Sequence, residues 1–457
     1  MSKLTRRTFL GNTALAAFFG TTSSALSSVQ DPPLSWRNWS GGEVSYPKSR
    51  FSPATEEQLA RFFATSLGSL RPVGSGHSFS ALVPTDGHLV VIDQLSGLLA
   101  QDETRHLATF AAGTRLSDMG PVLAGVGQGM LNLPDIDRQT LAGATATATH
   151  GTGIDFKCLS GYVTGLRLIT VDGGVRDLDV SSQPDLFAAA CVSLGALGVV
   201  SRMTLQNRAA YRLKQTTWVE KTSTLLQDFD SHTSAHRHFE LFPLVHSDYS
   251  MALATDETDE AINNPAASPE EDAAFDNAMR GFMMIPPSLR RPLINTLAEQ
   301  IGPSERVDVS YKILSNIRNN RFNEMEYSVP VEAGADCLKE ILATIIDKQV
   351  DVVFPLEYRY VCRDDTMLSM SSGDEDHAAI SIHRVATEDY RPYFDLIEPI
   401  FWKYGGRPHW GKIHSLGAGQ LASLYPRFNE FTAIRKALDP QGRLLNVHLR
   451  KVFGETI

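Results

Sequence analysis

Cysteine is scarce in this chain, with four in 457 residues, at Cys158, Cys191, Cys337 and Cys362 and without any Cys-x-x-Cys spacing. That spacing gives no support to a zinc site. Buried free thiols are the plain reading; an oxidising compartment would permit a disulfide, but spacing selects none. Long apolar runs are missing as well. After residue 28 no stretch reaches about 18 apolar residues, so no membrane span is implied. Basic residues are outnumbered, 42 Lys and Arg against 52 Asp and Glu, for a formal net charge of −10. This argues against a nucleic-acid footprint, which needs clustered cations on one face. Small neutral or weakly acidic substrates stay open. Also absent is the Gly-x-Gly-x-x-Gly strand–helix fingerprint of a Rossmann unit.

What is present is enough apolar material, 42% of residues, for two or three globular domains at roughly 150 residues each. The first 28 residues read as an export signal: a basic start, Thr5-Arg6-Arg7-Thr8-Phe9-Leu10, an apolar run from Leu15 to Phe19, then small residues. The twin arginine followed by Phe-Leu resembles the Tat signal, which addresses folded proteins to the bacterial export machine. The expected location is therefore periplasmic or secreted, with cleavage after Ala25 or Ser27 compatible with the small residues there. An ordinary Sec signal or an uncleaved anchor is the alternative.

Periodicity predicts a helix over 54–66 running into a strand at Leu70–Val73, and a hairpin of 166–171 and 175–180 about Asp172-Gly173-Gly174. A short helix over 186–191 and a strand over 199–205 follow. Beyond Tyr211 the texture changes. Residues 255–275 are acidic and poor in large apolar side chains, and read as a mobile loop or a frayed insertion. Helical character returns over 276–301. The pattern then predicts a strand over 326–331, a helix over 337–348, strands over 352–361 and 378–385, and a helix over 387–404. Strands alternating with helices make a second α+β unit.

Two glycine-flanked histidine loops stand out: Arg71-Pro72-Val73-Gly74-Ser75-Gly76-His77-Ser78 and Thr140-Leu141-Ala142-Gly143-Ala144-Thr145-Ala146-Thr147-Ala148-Thr149-His150-Gly151-Thr152-Gly153. Small residues let backbone amides approach a pyrophosphate, and successive N–H groups in such turns form an anion-binding concavity. Either loop alone is an ordinary turn; two in order are a stronger signal. Together they resemble the loops of the vanillyl-alcohol-oxidase type of flavoproteins, above all the gulonolactone, arabinonolactone and alditol oxidase group. The likeness continues at Leu194-Gly195-Ala196-Leu197-Gly198-Val199-Val200, Asn323-Glu324-Met325-Glu326-Tyr327, Glu357-Tyr358-Arg359 and His409-Trp410-Gly411-Lys412.

The resemblance implies an α+β flavoprotein: a PCMH-type FAD-binding domain over 36–210, a smaller α+β substrate (cap) domain over 211–435, and a closing segment, 436–457, returning to the FAD domain. It implies FAD held by Gly74, Ser75, Gly76, His77, Ser78, Thr140, Gly143, Thr147, His150, Gly151 and Val200. In that group the first-loop histidine, here His77, is the covalent attachment point of the isoalloxazine ring. His150 either contacts the flavin or pins its own loop by a backbone hydrogen bond. Asp135 and Asp137 read as turn caps. Trp410 fits a pocket wall or the core equally.

Glu357 and Arg359 leave one face of a strand, with Tyr358 on the other. Sequence alone makes them a solvated ion pair; the resemblance places them where substrate hydroxyls bind. It adds His383 on the substrate side and Lys412 beside the reacting hydroxyl, where a lysine orients the alcohol or accepts its proton. Val385 stands where alditol oxidases carry a threonine, which counts against an acyclic polyol. The expectation is FAD-dependent oxidation of a hydroxyl on a sugar-derived substrate, best an aldonolactone, with dioxygen or a periplasmic carrier as acceptor. An alditol oxidase is the runner-up. A flavin-free carbohydrate-binding relative and a structural exported protein are rivals of other classes. Glu357, Arg359 and Lys412 are expected to act in the chemistry rather than in folding.

Overall fold

Three sheets carry the fold, in a computed structural model that describes residues 35–263, 280–316 and 320–456. The export signal thus lies outside the described residues, as does most of the acidic stretch. The first sheet is small and parallel, in the order β1 (Ser49–Phe51), β3 (His88–Val91), β2 (Leu70–Val73). Helix α1 (Glu56–Thr65) crosses between its first two strands. Thr55 caps α1 by accepting the Gln58 N–H, Glu56 and Glu57 sit at its positive end, and Leu59 and Phe63 are its buried face.

The second sheet is antiparallel, built from β4 (Leu98–Asp102), β5 (Leu107–Ala111), β6 (Val163–Ile169), β7 (Val175–Asp179) and β8 (Val199–Gln206), in the order β7-β6-β8-β5-β4. The β6–β7 hairpin turns at Asp172-Gly173-Gly174, as its sequence predicts. Short helices α2 (Leu141–Ala146) and α3 (Pro184–Cys191) pack against it.

From Arg212 onward the strands enter one eight-stranded sheet: β9 (Arg212–Lys221), β10 (His238–Pro243), β11 (Tyr249–Glu257), β12 (Ser304–Val309), β13 (Phe322–Pro330), β14 (Glu357–Val361), β15 (His377–Val385) and β16 (Arg407–Pro408), in the order β12-β9-β11-β10-β14-β15-β13-β16. Alternation divides its two faces. Met325, Tyr327, Tyr358, Tyr360, Ala378, Ile380 and Ile382 are buried beside helices α4 (Val331–Asp347) and α5 (Arg391–Lys403), with Tyr327 stacked on Phe401 of α5 at 4.7 Å. The alternate residues face the other way, towards the glycine loops.

The tail comes back to the first sheet. Arg443 donates to the carbonyls of Ser66 and Gly68, and Asn446 to those of Ala81, Leu82 and Pro84. Leu34–Ile457 forms one compact unit, and the architecture is α+β. Among the described residues no helix is long and apolar enough to cross a membrane. All four cysteines are free thiols, three of them buried.

Several expected boundaries move. Strand β13 starts at Phe322 rather than 326, because Asn323 and Glu324 find partners across β15. Helix α4 begins at Val331, directly after Pro330, rather than at 337. Strand β14 starts at Glu357 rather than 352, since Pro355 lacks the ladder donor. Helix α5 spans Arg391–Lys403, and Thr255–Glu257 is the end of β11 rather than loop.

Candidate active site

A cavity of about 580 Å³ lies between the glycine loops and the third sheet. The floor is local in origin. Strand β2 ends at Val73, and Gly74 then passes so close to Thr140 that a Cβ there would stand 2.1 Å from the threonine Oγ1. The same Oγ1 caps α2 by accepting the Gly143 N–H at 3.2 Å, so the two loops meet through one hydroxyl. Gly76 holds φ +70 against Trp36, a conformation that favours glycine. It presents His77, whose ring stacks on Trp39 at 5.4 Å. Burial above all, then the charges of Lys412, Arg115 and Arg138, push the His77 imidazole down to about 4.

The roof is the open face of the third sheet. Register sets Glu324 opposite His383, and Glu326, Ser381 and Glu357 in one cross-strand row, with Arg359 two residues along. Arg359 is buried between two carboxylates, 3.1 Å from Glu357 and 3.3 Å from Glu326. Burial opposes its charge, but Glu357, Glu326 and Glu240 outweigh that and raise it. Lys412 is ion-paired with Glu324 and stands 4.0 Å from Glu326. The segment that carries it is laced to β13 by His409 N–H to Glu326 C=O and Ile413 N–H to Glu324 C=O, both 2.9 Å, and to the first loop by Phe79 N–H to Gly411 C=O at 2.7 Å. Burial opposes the charged form of Glu324, yet Lys412 and His383 hold it at about 2. Burial takes His409 down to about 3, and its Nδ1 accepts the Gly411 N–H at 3.0 Å.

Gly74, Ser75, Gly76, His77, Ser78, Thr140, Gly143, Thr147, His150 and Val200 line the cavity, as do Glu357, Arg359, His383 and Lys412. Gly151 does not. It packs against Leu133 and Asn132 behind the wall. His150 fits both readings, lining the cavity while bonding Gly151 C=O through Nδ1 at 2.9 Å. Glu357 and Arg359 are not the solvated pair that sequence alone favours, being 8% and 6% exposed. Trp410 is core, stacked on Tyr425 with its indole N–H on Leu368 C=O. The Asp135 carboxylate accepts from the Asn316 side chain at 2.7 Å.

Sequence reasoning missed Glu240, Glu324, Glu326, Ser381 and His409. Glu324 and Glu326 were visible as an acidic pair alternating about Met325 on one face of a strand, which is costly to bury without partners.

This arrangement has known counterparts. The D-arabinono-1,4-lactone oxidase family model matches residues 203–452, and an FAD binding domain model matches residues 47–179. The chain belongs to the D-arabinono-1,4-lactone oxidase family. It is 35% identical over 429 residues to L-gulono-1,4-lactone dehydrogenase of Mycobacterium tuberculosis, covering 92% of this chain and 99% of that relative. Bos taurus L-gulonolactone oxidase is 29% identical over 92% of this chain and 98% of its own, and a Streptomyces alditol oxidase 27% over 91% and 98%. Cholesterol oxidase from Brevibacterium sterolicum shares the fold at a TM-score of 0.74 with 14% identity, over 92% of this chain and 97% of that structure. The protein is thus an FAD-dependent oxidoreductase of sugar-lactone and alcohol oxidase type.

The residues present suit that cofactor. The glycine floor leaves open backbone where side chains would intrude, and the buried Ser75 hydroxyl and Arg359 Nε have no protein partner, the mark of groups that await a polar ligand.

Proposed function

We propose that this family member oxidises a hydroxyl of an aldonolactone, with FAD attached covalently through His77 and dioxygen or a periplasmic carrier as final acceptor. The observation that carries it is the set of Glu357, Arg359, Glu324 and His383 on one sheet face, with Lys412 on the loop beside them, above the loop that presents His77. FAD, when bound, supplies the hydride acceptor.

The chain's own groups handle substrate and proton. Arg359, with Glu357 at its side, offers guanidinium donors and a carboxylate acceptor to vicinal hydroxyls. His383 donates Nδ1–H to Pro355 C=O at 3.0 Å, and its Nε2 faces a Glu324 carboxylate oxygen at 3.6 Å. His383 and Lys412 thus flank one buried carboxylate at the cavity wall. Lys412, ion-paired with Glu324, serves as a cationic donor that orients the alcohol.

The deciding experiment measures anaerobic reduction of bound FAD by a panel of aldonolactones, alditols and free aldonates, with parallel aerobic peroxide detection. Aldonolactones are expected to reduce it fastest. Aldonates should be at least about tenfold slower, since their carboxylate enters a cavity already lined by Glu240, Glu324, Glu326 and Glu357. Faster turnover of alditols would replace this reading with the polyol oxidase, against which Val385 stands.

The low His77 value supports attachment, because the neutral ring keeps a lone pair for bond formation. Denatured protein is expected to retain flavin fluorescence on the polypeptide, and His77→Ala to lose it. FAD released from the wild type by acid precipitation would show non-covalent binding. The leader supports export of the folded holoprotein by the Tat route to the periplasm or beyond. Converting Arg6 and Arg7 to lysine should strand the enzyme in the cytoplasm, whereas unaltered export would indicate the Sec route.

A further inference from the structure

The acidic pair on β13 is not spent on substrate alone. Glu326 is 1% exposed, yet its carboxylate meets groups from three parts of the chain. One oxygen lies 2.6 Å from His150 Nε2 in the second glycine loop; the other accepts from Ser381 Oγ at 2.9 Å and lies 3.3 Å from Arg359 Nη2. Ser381 stands directly across from Glu326 in register, between it and Glu357. Its short side chain leaves room for Arg359 to reach over the row to Glu326.

The His150 ring has an acceptor at both ends, the Gly151 carbonyl at Nδ1 and the Glu326 carboxylate at Nε2. Each of these oxygens can take an N–H from the ring. The neighbouring His409 ring, 5.7 Å away, spends its Nδ1 on the Gly411 N–H and offers His150 no competing acceptor.

We propose that Glu326 is a positioning residue that joins the FAD-side loop to the substrate-side sheet, holding His150 as a double N–H donor and Arg359 at the cavity with one buried carboxylate. Burial works against its charge, but His150 and Arg359 outweigh that and hold its carboxyl well below the usual range. The assignment rests on the oxidase reading for its catalytic consequence, not for the ring's protonation. A break of this link should therefore disturb cofactor and substrate handling together, unlike loss of Glu357, which touches the substrate side only.

The test combines nitrogen-15 NMR of histidine-labelled holoprotein at neutral pH with a double-mutant cycle. In the wild type both ring nitrogens of His150, assigned by their disappearance in His150→Gln, are expected to show directly bound protons. A single protonated nitrogen overturns the proposal, whatever the substrate proves to be and without any need for Glu326→Gln to fold. In the cycle, Glu326→Gln is expected to raise KM and to lower the FAD reduction rate, each about tenfold or more. The Glu326→Gln, His150→Gln pair should be no worse than threefold below Glu326→Gln alone, because one link has been cut twice. Multiplicative losses, or wild-type KM and reduction rate in Glu326→Gln, also overturn it. Failure of every lactone and alditol to reduce the wild type would instead strike the substrate reading and leave the NMR result standing.

Discussion

Arg359→Ala is expected to slow reduction of FAD by substrate about a hundredfold or more and to lower the melting temperature in the same protein. Sequence reasoning expected the first effect without the second, because it placed Glu357 and Arg359 in the chemistry rather than in folding. Here the guanidinium lies between Glu326 and Glu357 with almost no solvent contact. Its removal leaves two buried carboxylates without their shared cation, and breaking a buried pair in this way costs about 3–5 kcal/mol. Part of that is recovered if one carboxylate takes up a proton, so a fall of about 2–5 °C is the expected reading. Lys412→Met separates the two effects. Lys412 is the more exposed member, 18% by side chain, and Glu324 retains His383 after its loss, so reduction should again fall about a hundredfold with a much smaller change in melting temperature. Anaerobic stopped-flow reduction and differential scanning calorimetry on both variants decide the matter. A wild-type reduction rate in Arg359→Ala, with stability lost, would make the arginine a structural counter-charge only.

The contrast between those residues shows where sequence runs out. The glycine loops were legible because their chemistry is contained in a few consecutive residues: Gly74 to Ser78 all line the cavity, and Thr140, Gly143, Thr147 and His150 line it from the second loop. Gly151 was misplaced because position in a loop says nothing of which side faces the wall. Glu357 and Arg359 were legible as sharing a face, since alternation is local, but not as buried, since burial comes from β10 and β15 on either flank. Glu326 was quoted as part of a motif and left without a role. Its partners His150, Arg359 and Ser381 are distant in sequence, and nothing local fixes the register that sets Glu326 opposite Ser381. Starting β13 at 326 also hid Glu324, the residue that pairs with Lys412 and faces His383.

Gly74→Ala is expected to yield folded protein with less than about a tenth of the wild-type FAD content. Position 74 lies just past β2, and the added methyl would stand 2.1 Å from Thr140 Oγ1, 3.3 Å from its Cβ and 3.4 Å from its Cγ2. An approach that short cannot be absorbed by small adjustments, so Thr140 must turn or the loops must part. If it turns, α2 loses the side-chain cap on Gly143 N–H, worth about 0.5–2 kcal/mol; overpacking adds about 1–3 kcal/mol. Those sums fall short of unfolding a chain with cores of this size, so the damage concentrates where the loops face the cavity. Thr140→Ala in the same protein supplies the control. It removes the hydroxyl that the methyl strikes and leaves the Cβ contact at 3.3 Å, close but within reach of a small shift. The double variant should regain at least half of the lost FAD, while Thr140→Ala alone keeps most of it. Absorbance of the bound flavin against protein concentration gives all three numbers. Full FAD in Gly74→Ala would mean that the loops meet with slack, and that the glycine is there for its amide rather than for the space it leaves to Thr140.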